Sequence, residues 1–141
     1  MTASLRFIFG PLLDPVLMSE VAPAAHFDRI AHLPAHRLGF NGEGQPVAIP
    51  DEEHTLWGAT FTVPDEQFGK FVSAASGTVT VATAWAVDRS GERYQVHVLS
   101  GDDRGRPRDS VVEHMLVGAR HWELPAGWVA GLEDLLDPYD F

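Results

Sequence analysis

The chain contains no cysteine. It can therefore hold neither a disulfide framework nor a thiolate metal site, and a thiol nucleophile is not available to it. Long apolar runs are missing as well, and nothing approaches the roughly 20 residues that a membrane-spanning helix needs. Basic residues are scarce, 10 against 20 acidic, and the resulting net charge of −10 repels a phosphate backbone, which argues against nucleic acid as a partner. The opening residues Met-Thr-Ala-Ser-Leu-Arg carry neither the basic flank nor the apolar stretch of a secretion signal, so a cytoplasmic protein is expected. His26, His32 and His36 stand around Pro34 without the tight spacing of a zinc site. No metal and no cofactor are expected.

What is present is enough for one core. At 141 residues and 45% hydrophobic content, the chain reads as a single domain spanning residues 1–141, with an acidic tail at about 137–141. Phe7-Ile8-Phe9-Gly10-Pro11-Leu12-Leu13-Asp14-Pro15 organises the rest. Alternating apolar residues run into a Gly-Pro turn and then into a helix start, with Asp14 as N-cap and Pro15 in the first helical position. A strand ending at a helix start aims N–H groups and a positive helix end at one spot, where a small anion can sit. The plainer reading is an ordinary strand-turn-helix junction.

The remaining pattern is β-rich first and helical last. Residues 5–9 read as a strand and 14–21 as a short helix ended by Pro23. Residues 27–40 read as mostly extended, interrupted by Pro34, and run into a turn at Asn41-Gly42-Glu43-Gly44. Val47-Ala48-Ile49 reads as a short apolar element, and Thr55 to Val63 as a strand in which Gly58 marks a bulge or a close backbone approach. Pro64-Asp65-Glu66 opens a helix to about Val72. Thr78 to Val87 and Tyr94 to Leu99 form a hairpin, followed by a loop from Ser100 to Arg108 expected to be mobile. A helix capped at Asp109 or Ser110 runs to about Trp122, and after Leu124-Pro125 a second apolar stripe runs from Trp128 to Leu136. Together these make an α+β domain with two C-terminal helices.

Four segments, in order, resemble motifs of the γ-glutamylcyclotransferase superfamily, especially its avirulence-induced-gene-like branch. Phe7-Ile8-Phe9-Gly10-Pro11-Leu12 is similar to the signature F-x-Y-G-[ST]-[LN], and Ala31 to Asn41 to A-x-L-P-G-[YH]-R-L-x-F-N. Leu56-Trp57-Gly58 is similar to V-[WY]-G, and Gly118 to Pro125 to G-A-R-E-H-G-L-P. The resemblance implies a small mixed β-barrel flanked by helices, with a cavity at one end where the signature loop, here Phe9, Gly10, Pro11, Leu12 and Leu13, holds the α-amino acid end of a γ-glutamyl group. It further implies that this loop, the segment near Val47 to Ile49 and the turn at Ser73 to Gly77 meet around one pocket. In the family a glutamate in an L-D-x-x-E-G segment serves as general acid/base, taking a proton from the attacking α-amine and giving one to the departing amine.

Against that pattern the chain departs where the chemistry lies. The matching segment is Val72-Ser73-Ala74-Ala75-Ser76-Gly77, which sets Ser76 in the glutamate's place, and no Asp or Glu occurs from Gln67 to Val87. Phe9 stands for the family's tyrosine and Pro11 for its serine or threonine, so hydroxyls and one N–H donor are lost. His97 is the alternative candidate for a base, flanked by Val96 and Val98 on the opposite face; the plain alternative is a histidine of the barrel wall. His114 and His121, seven apart on one helix, read as a solvated stripe, and Ser73 and Ser76 lack a neighbouring base. Trp57, Trp85, Trp122 and Trp128 read as packing anchors, with Trp57 or Trp85 as alternative cavity walls.

Two function classes stay open. One is a non-catalytic or repurposed barrel that binds a small amino-acid-like or γ-glutamyl-like molecule, and the missing carboxylate favours it. The other is an enzyme on γ-glutamyl amines or related amides with a different base. A homodimer is allowed by either, and a subunit that works only with another enzyme is a remoter third.

Overall fold

The computed structural model describes residues 3–74 and 79–136, with side chains for 4–69 and 79–136. Five strands, β1 (Ala3–Ile8), β2 (His26–Phe40), β3 (Pro46–Pro64), β4 (Thr80–Asp88) and β5 (Arg93–Ser100), close a mixed barrel in the order β1-β3-β2-β4-β5. The neighbours are antiparallel except at the seams where β5 meets β1 (Arg6 opposite His97) and β3 (Ala48 opposite Ser100). Four helices follow in chain order: α1 (Pro15–Val21), α2 (Asp65–Ala74), α3 (Asp109–His121) and α4 (Ala126–Asp134). None is long and apolar enough to cross a membrane.

Strand alternation divides the core in two. Phe7, Phe9, Leu33, Leu56, Val96 and Val98 fill the barrel interior. Ile8, Ile30, Phe61 and Val63 point outward and are covered by Leu13, Met18, Val112, Met115 and Leu132 from the helical layer. Leu13, Leu33, Leu56 and Met115 are almost wholly excluded from water, each worth about 1.5–3 kcal/mol in transfer free energy.

β2 and β3 form one long hairpin, and its turn is built by Asn41. The Asn41 side chain accepts from the N–H groups of Glu43 (2.9 Å) and Gln45 (3.1 Å), an Asx arrangement that stands in for backbone pairing. The chain from Pro46 to Pro64 is a single strand rather than the two elements its sequence suggests. Its continuity survives because residues 51–54 make no pair with β2, whose Pro34 and His36 sit opposite Thr55 and Pro50. The excursion is tied down by Arg37 and His54 on Asp51. Gly58 marks a close approach: a Cβ there would overlap the Ile8 carbonyl. The segment after β5, expected to be mobile, is pinned by Arg104 and Gly105, which both donate to the Phe40 carbonyl at 2.9 Å.

Candidate functional site

β1 delivers its last residues to a 3-10 turn, Pro11–Leu13, and this turn is the wall of a cavity of about 230 Å³. Phe9, Gly10, Pro11 and Leu12 line it, together with Phe7 and Ile8 of β1. Leu17 and Val21 of α1, Gln45 and Pro46 at the start of β3, Phe68 of α2 and Leu99 of β5 complete the described walls. Gly10 has an extended backbone (φ −96°), so its conformation does not demand glycine. Space does: a Cβ would meet Pro46 Cγ at 2.8 Å. The signature loop and the start of β3 are thus in contact across the chain.

Leu13 belongs to the same loop but not to the lining. It is 1% exposed and lies under α3, where Gly118 leaves room for it, since a Cβ on Gly118 would overlap the Leu13 backbone. α3 fastens the loop in two further ways. The Trp122 indole donates to the Leu13 carbonyl at 2.9 Å, while its ring stacks on Phe27 at 4.3 Å between centroids. His114 Nδ1 lies 2.8 Å from Asp14 Oδ2. The other Asp14 oxygen caps α1 by accepting from Val16 N–H at 3.0 Å. The hydrogen bond from His114 holds the Asp14 carboxyl below its ordinary value, against the opposing effect of burial. The anion at this helix start is the chain's own Asp14, the cap that its sequence places there. His114, which reads as one of a solvated stripe, is its partner.

Across the cavity, Phe68 is held from behind by Arg6, whose guanidinium carbon lies 3.8 Å from the ring centroid and whose Nη2 donates to Asp65 at 3.0 Å. Arg6 is buried, and that burial pulls its pKa down. Neither Arg6 nor Asp65 is among the described lining residues, and Gln45 is the one polar side chain that is. His97 sits on the outer face of β5, opposite Thr83 and Arg6, and it too is outside the described lining. His32 packs on Trp57 (4.8 Å between centroids), and its burial lowers its pKa. Ser76 and Gly77 lie outside the described residues, and Ser73 is described only as backbone at the end of α2.

The opposite mouth of the barrel is built from other chemistry. Arg29 donates to Asp28 (2.7 Å), Asp88 (3.2 Å) and Glu92 (3.3 Å) while lying over the Tyr94 ring at 4.3 Å. Thr60, wholly buried, joins Asp28 at 3.1 Å and the Tyr94 hydroxyl at 3.1 Å. A register shift in β2 between Phe27 and Arg29 turns Asp28 into this cluster.

Known structures identify the architecture. A solved γ-glutamyl cyclotransferase superposes with a TM-score of 0.86 at 17% identity, covering 99% of this chain and 91% of that one. The chain has the γ-glutamyl cyclotransferase fold. An uncharacterized protein from Homo sapiens matches with a TM-score of 0.85 at 17% identity, over 100% of this chain and 92% of its own. An AIG2-like protein from Mus musculus matches with a TM-score of 0.57 at 15% identity, over 74% and 80%. No family model and no curated protein sequence matches significantly. At these identities the likeness carries the γ-glutamyl cyclotransferase fold alone, and the chemistry has to be argued from the residues around the turn.

Proposed function

We propose that the chain is a non-catalytic or repurposed protein on the γ-glutamyl cyclotransferase fold, working in the cytoplasm, whose cavity holds a small, partly apolar molecule that is neutral or weakly anionic. One observation carries this reading. Cyclotransfer needs a group that removes a proton from one amine and supplies one to another, yet the described lining has no ionisable side chain. The chain from Gln67 to Val87, which holds the position of the family's glutamate at Ser76, contains no carboxylate either. Phe9, Gly10, Pro11 and Leu12 are the proposed binding residues of the loop, which Leu13 anchors under α3. Its donors are reduced because Pro11 has no N–H and the Leu13 N–H is already given to the Gly10 carbonyl at 3.1 Å. With Phe7, Phe9, Leu17 and Phe68 around it, the space suits an apolar group, and Gln45 supplies one amide that can orient a ligand carbonyl.

The test is two assays on the purified protein. Release of 5-oxoproline from γ-glutamyl amino acids and γ-glutamyl amines is expected to stay at the uncatalysed rate, and Ser76→Glu is expected to add weak turnover at most. Clear turnover by the unmodified chain would establish the enzyme reading with a different base. In thermal shift, small uncharged amides are expected to raise the melting temperature more than glutamate-like dianions, since a ligand at about 100 times its dissociation constant adds roughly 2.7 kcal/mol. Leu17→Trp, which fills the cavity, is expected to abolish that shift.

A further inference from the structure

We propose that Gln45 selects the ligand of this cavity, and that the ligand class is a primary carboxamide on a small apolar body, its amide paired edge to edge with the Gln45 side chain. The inference rests on the ligand-binding reading given above and names the group that the site recognises. Gln45 is the one polar side chain in the described lining. Among the described residues none hydrogen-bonds its amide, so the Nε2 donors and the Oε1 acceptor are both left for a ligand.

The backbone beneath that amide is fixed from both sides. Asn41 Oδ1 accepts from the Gln45 N–H at 3.1 Å, and the Asn41 N–H donates to the Gln45 carbonyl at 2.9 Å. Asn41 is itself buried, and Gly105 lies so close to it that a Cβ there would overlap the Asn41 carbonyl. On the far side of Gln45, Pro46 packs against Gly10, the residue before the Pro11–Leu13 turn. An amide carried on so constrained a backbone loses little main-chain freedom on binding, which favours directional contacts.

The walls then sort the possible head groups. A carboxylate would set its oxygens against Oε1 and bring a charge for which the described lining holds no counterion, and an amidinium would meet Nε2 in the same way. A ketone takes a proton from Nε2 but leaves Oε1 without a partner. A primary carboxamide carries one donor and one acceptor along a single edge, at the spacing that Gln45 itself presents, and it has no charge. The body attached to it is set by the remaining lining. Phe68, with Arg6 lying 3.8 Å from its ring centroid, faces Phe7, Phe9 and Leu17 around a volume of about 230 Å³, which suits a single aromatic ring.

Benzamide, benzoate, benzamidine and acetophenone share one ring and differ in the head. Isothermal titration calorimetry on the purified native chain at pH 7 is expected to show benzamide bound at least ten times more tightly than each of the other three. This series tests the pairing without any substitution. Gln45→Glu is expected to invert the order of benzamide and benzamidine, with benzamidine at least ten times tighter, because the new carboxylate pairs an amidinium along two bonds. The Gln45 side chain makes no described hydrogen bond, so the variant is expected to keep the native circular dichroism spectrum. Equal affinity of the native chain for benzamide and acetophenone, or an order left unchanged by Gln45→Glu, overturns the inference. If acetophenone binds as well as benzamide and both are lost in Leu17→Trp, the cavity reading stands and the role of Gln45 falls. If none of the four probes binds, both fall.

Discussion

The two mouths of the barrel differ in where their polar groups go. At one, Arg29, Asp28, Asp88, Glu92, Tyr94 and Thr60 satisfy one another. At the other, the Phe9 to Leu12 turn opens on a cavity whose one described polar side chain is Gln45. The first arrangement is a part-exposed network of ion pairs and hydrogen bonds around the buried Thr60, its titratable groups spent on each other. The second leaves space but no described acid or base beside it. In an active site groups with displaced pKa values line the cavity; here Asp88, lowered to about 2 chiefly by the Ser90 hydroxyl, is at the polar mouth.

Thr60→Val is the most direct way to break this contrast. The side chain keeps its shape but leaves Asp28 and the half-buried Tyr94 hydroxyl short of a partner. Chemical denaturation is expected to show a loss of about 2 kcal/mol. Ligand-induced thermal shifts at the cavity should be unchanged after correction for the lower baseline. A loss of ligand response would mean that the two mouths are coupled.

Acid sharpens the same comparison. Asp88 is held low chiefly by the Ser90 hydroxyl, with further hydrogen bonds from Glu92 N–H and Arg29, and Asp14 chiefly by His114. Both carboxyls are lowered on folding from the ordinary value of 3.8, so the unfolded chain binds protons first and the stabilisation is complete only above that value. It is lost as pH falls from 3.8 toward about 2. Melting temperature followed through this window should fall steeply for the native chain. Asp88→Asn should flatten the slope more than Asp14→Asn, because the displacement is larger at the polar mouth.

Much of the fold was legible because its signals are local. The Asp14 cap, the Asn41 turn, the β4–β5 hairpin and the helical spacing of α3 each act within a few residues. What fixes the site is not local. His114 reaches Asp14 across 100 positions and Trp122 reaches the Leu13 carbonyl across 109, and no periodicity in either segment signals the other. Leu13 reads as a member of the binding loop, yet packing under Gly118 turns it away from the cavity. The join of Val47–Ile49 to Thr55–Val63 was hidden by Pro50 and the acidic residues after it, because their excursion is stabilised by Arg37, which lies on the other strand.

Two backbone positions carry a smaller and separate test, away from the polar groups of either mouth. Ala35 (φ 58°) and Glu123 (φ 56°) are the non-glycine residues with left-handed backbone among those described. Both fall where the motifs they resemble carry glycine, the fifth residue of A-x-L-P-G and the sixth of G-A-R-E-H-G. Geometry and motif thus agree at positions where the residue itself does not match. At Glu123 the reason is a helix end: Leu124 N–H donates to the Ala119 carbonyl at 2.9 Å and Glu123 N–H to Arg120 at 3.2 Å, a closure that needs a left-handed residue just past α3. At Ala35 the same conformation accompanies the register shift between Pro34 and His36 in the β2–β3 ladder. A side chain in this region costs about 1–2 kcal/mol, and the entropy that glycine restores to the unfolded chain offsets about half of it. Glu123→Gly and Ala35→Gly are each expected to raise stability by up to about 1 kcal/mol, measured by denaturant midpoint at unchanged slope. The cavity should bind as before in both. A loss of stability at Glu123 would show that its side chain contributes more than its backbone costs, and would remove the helix-end argument for matching this segment to the motif.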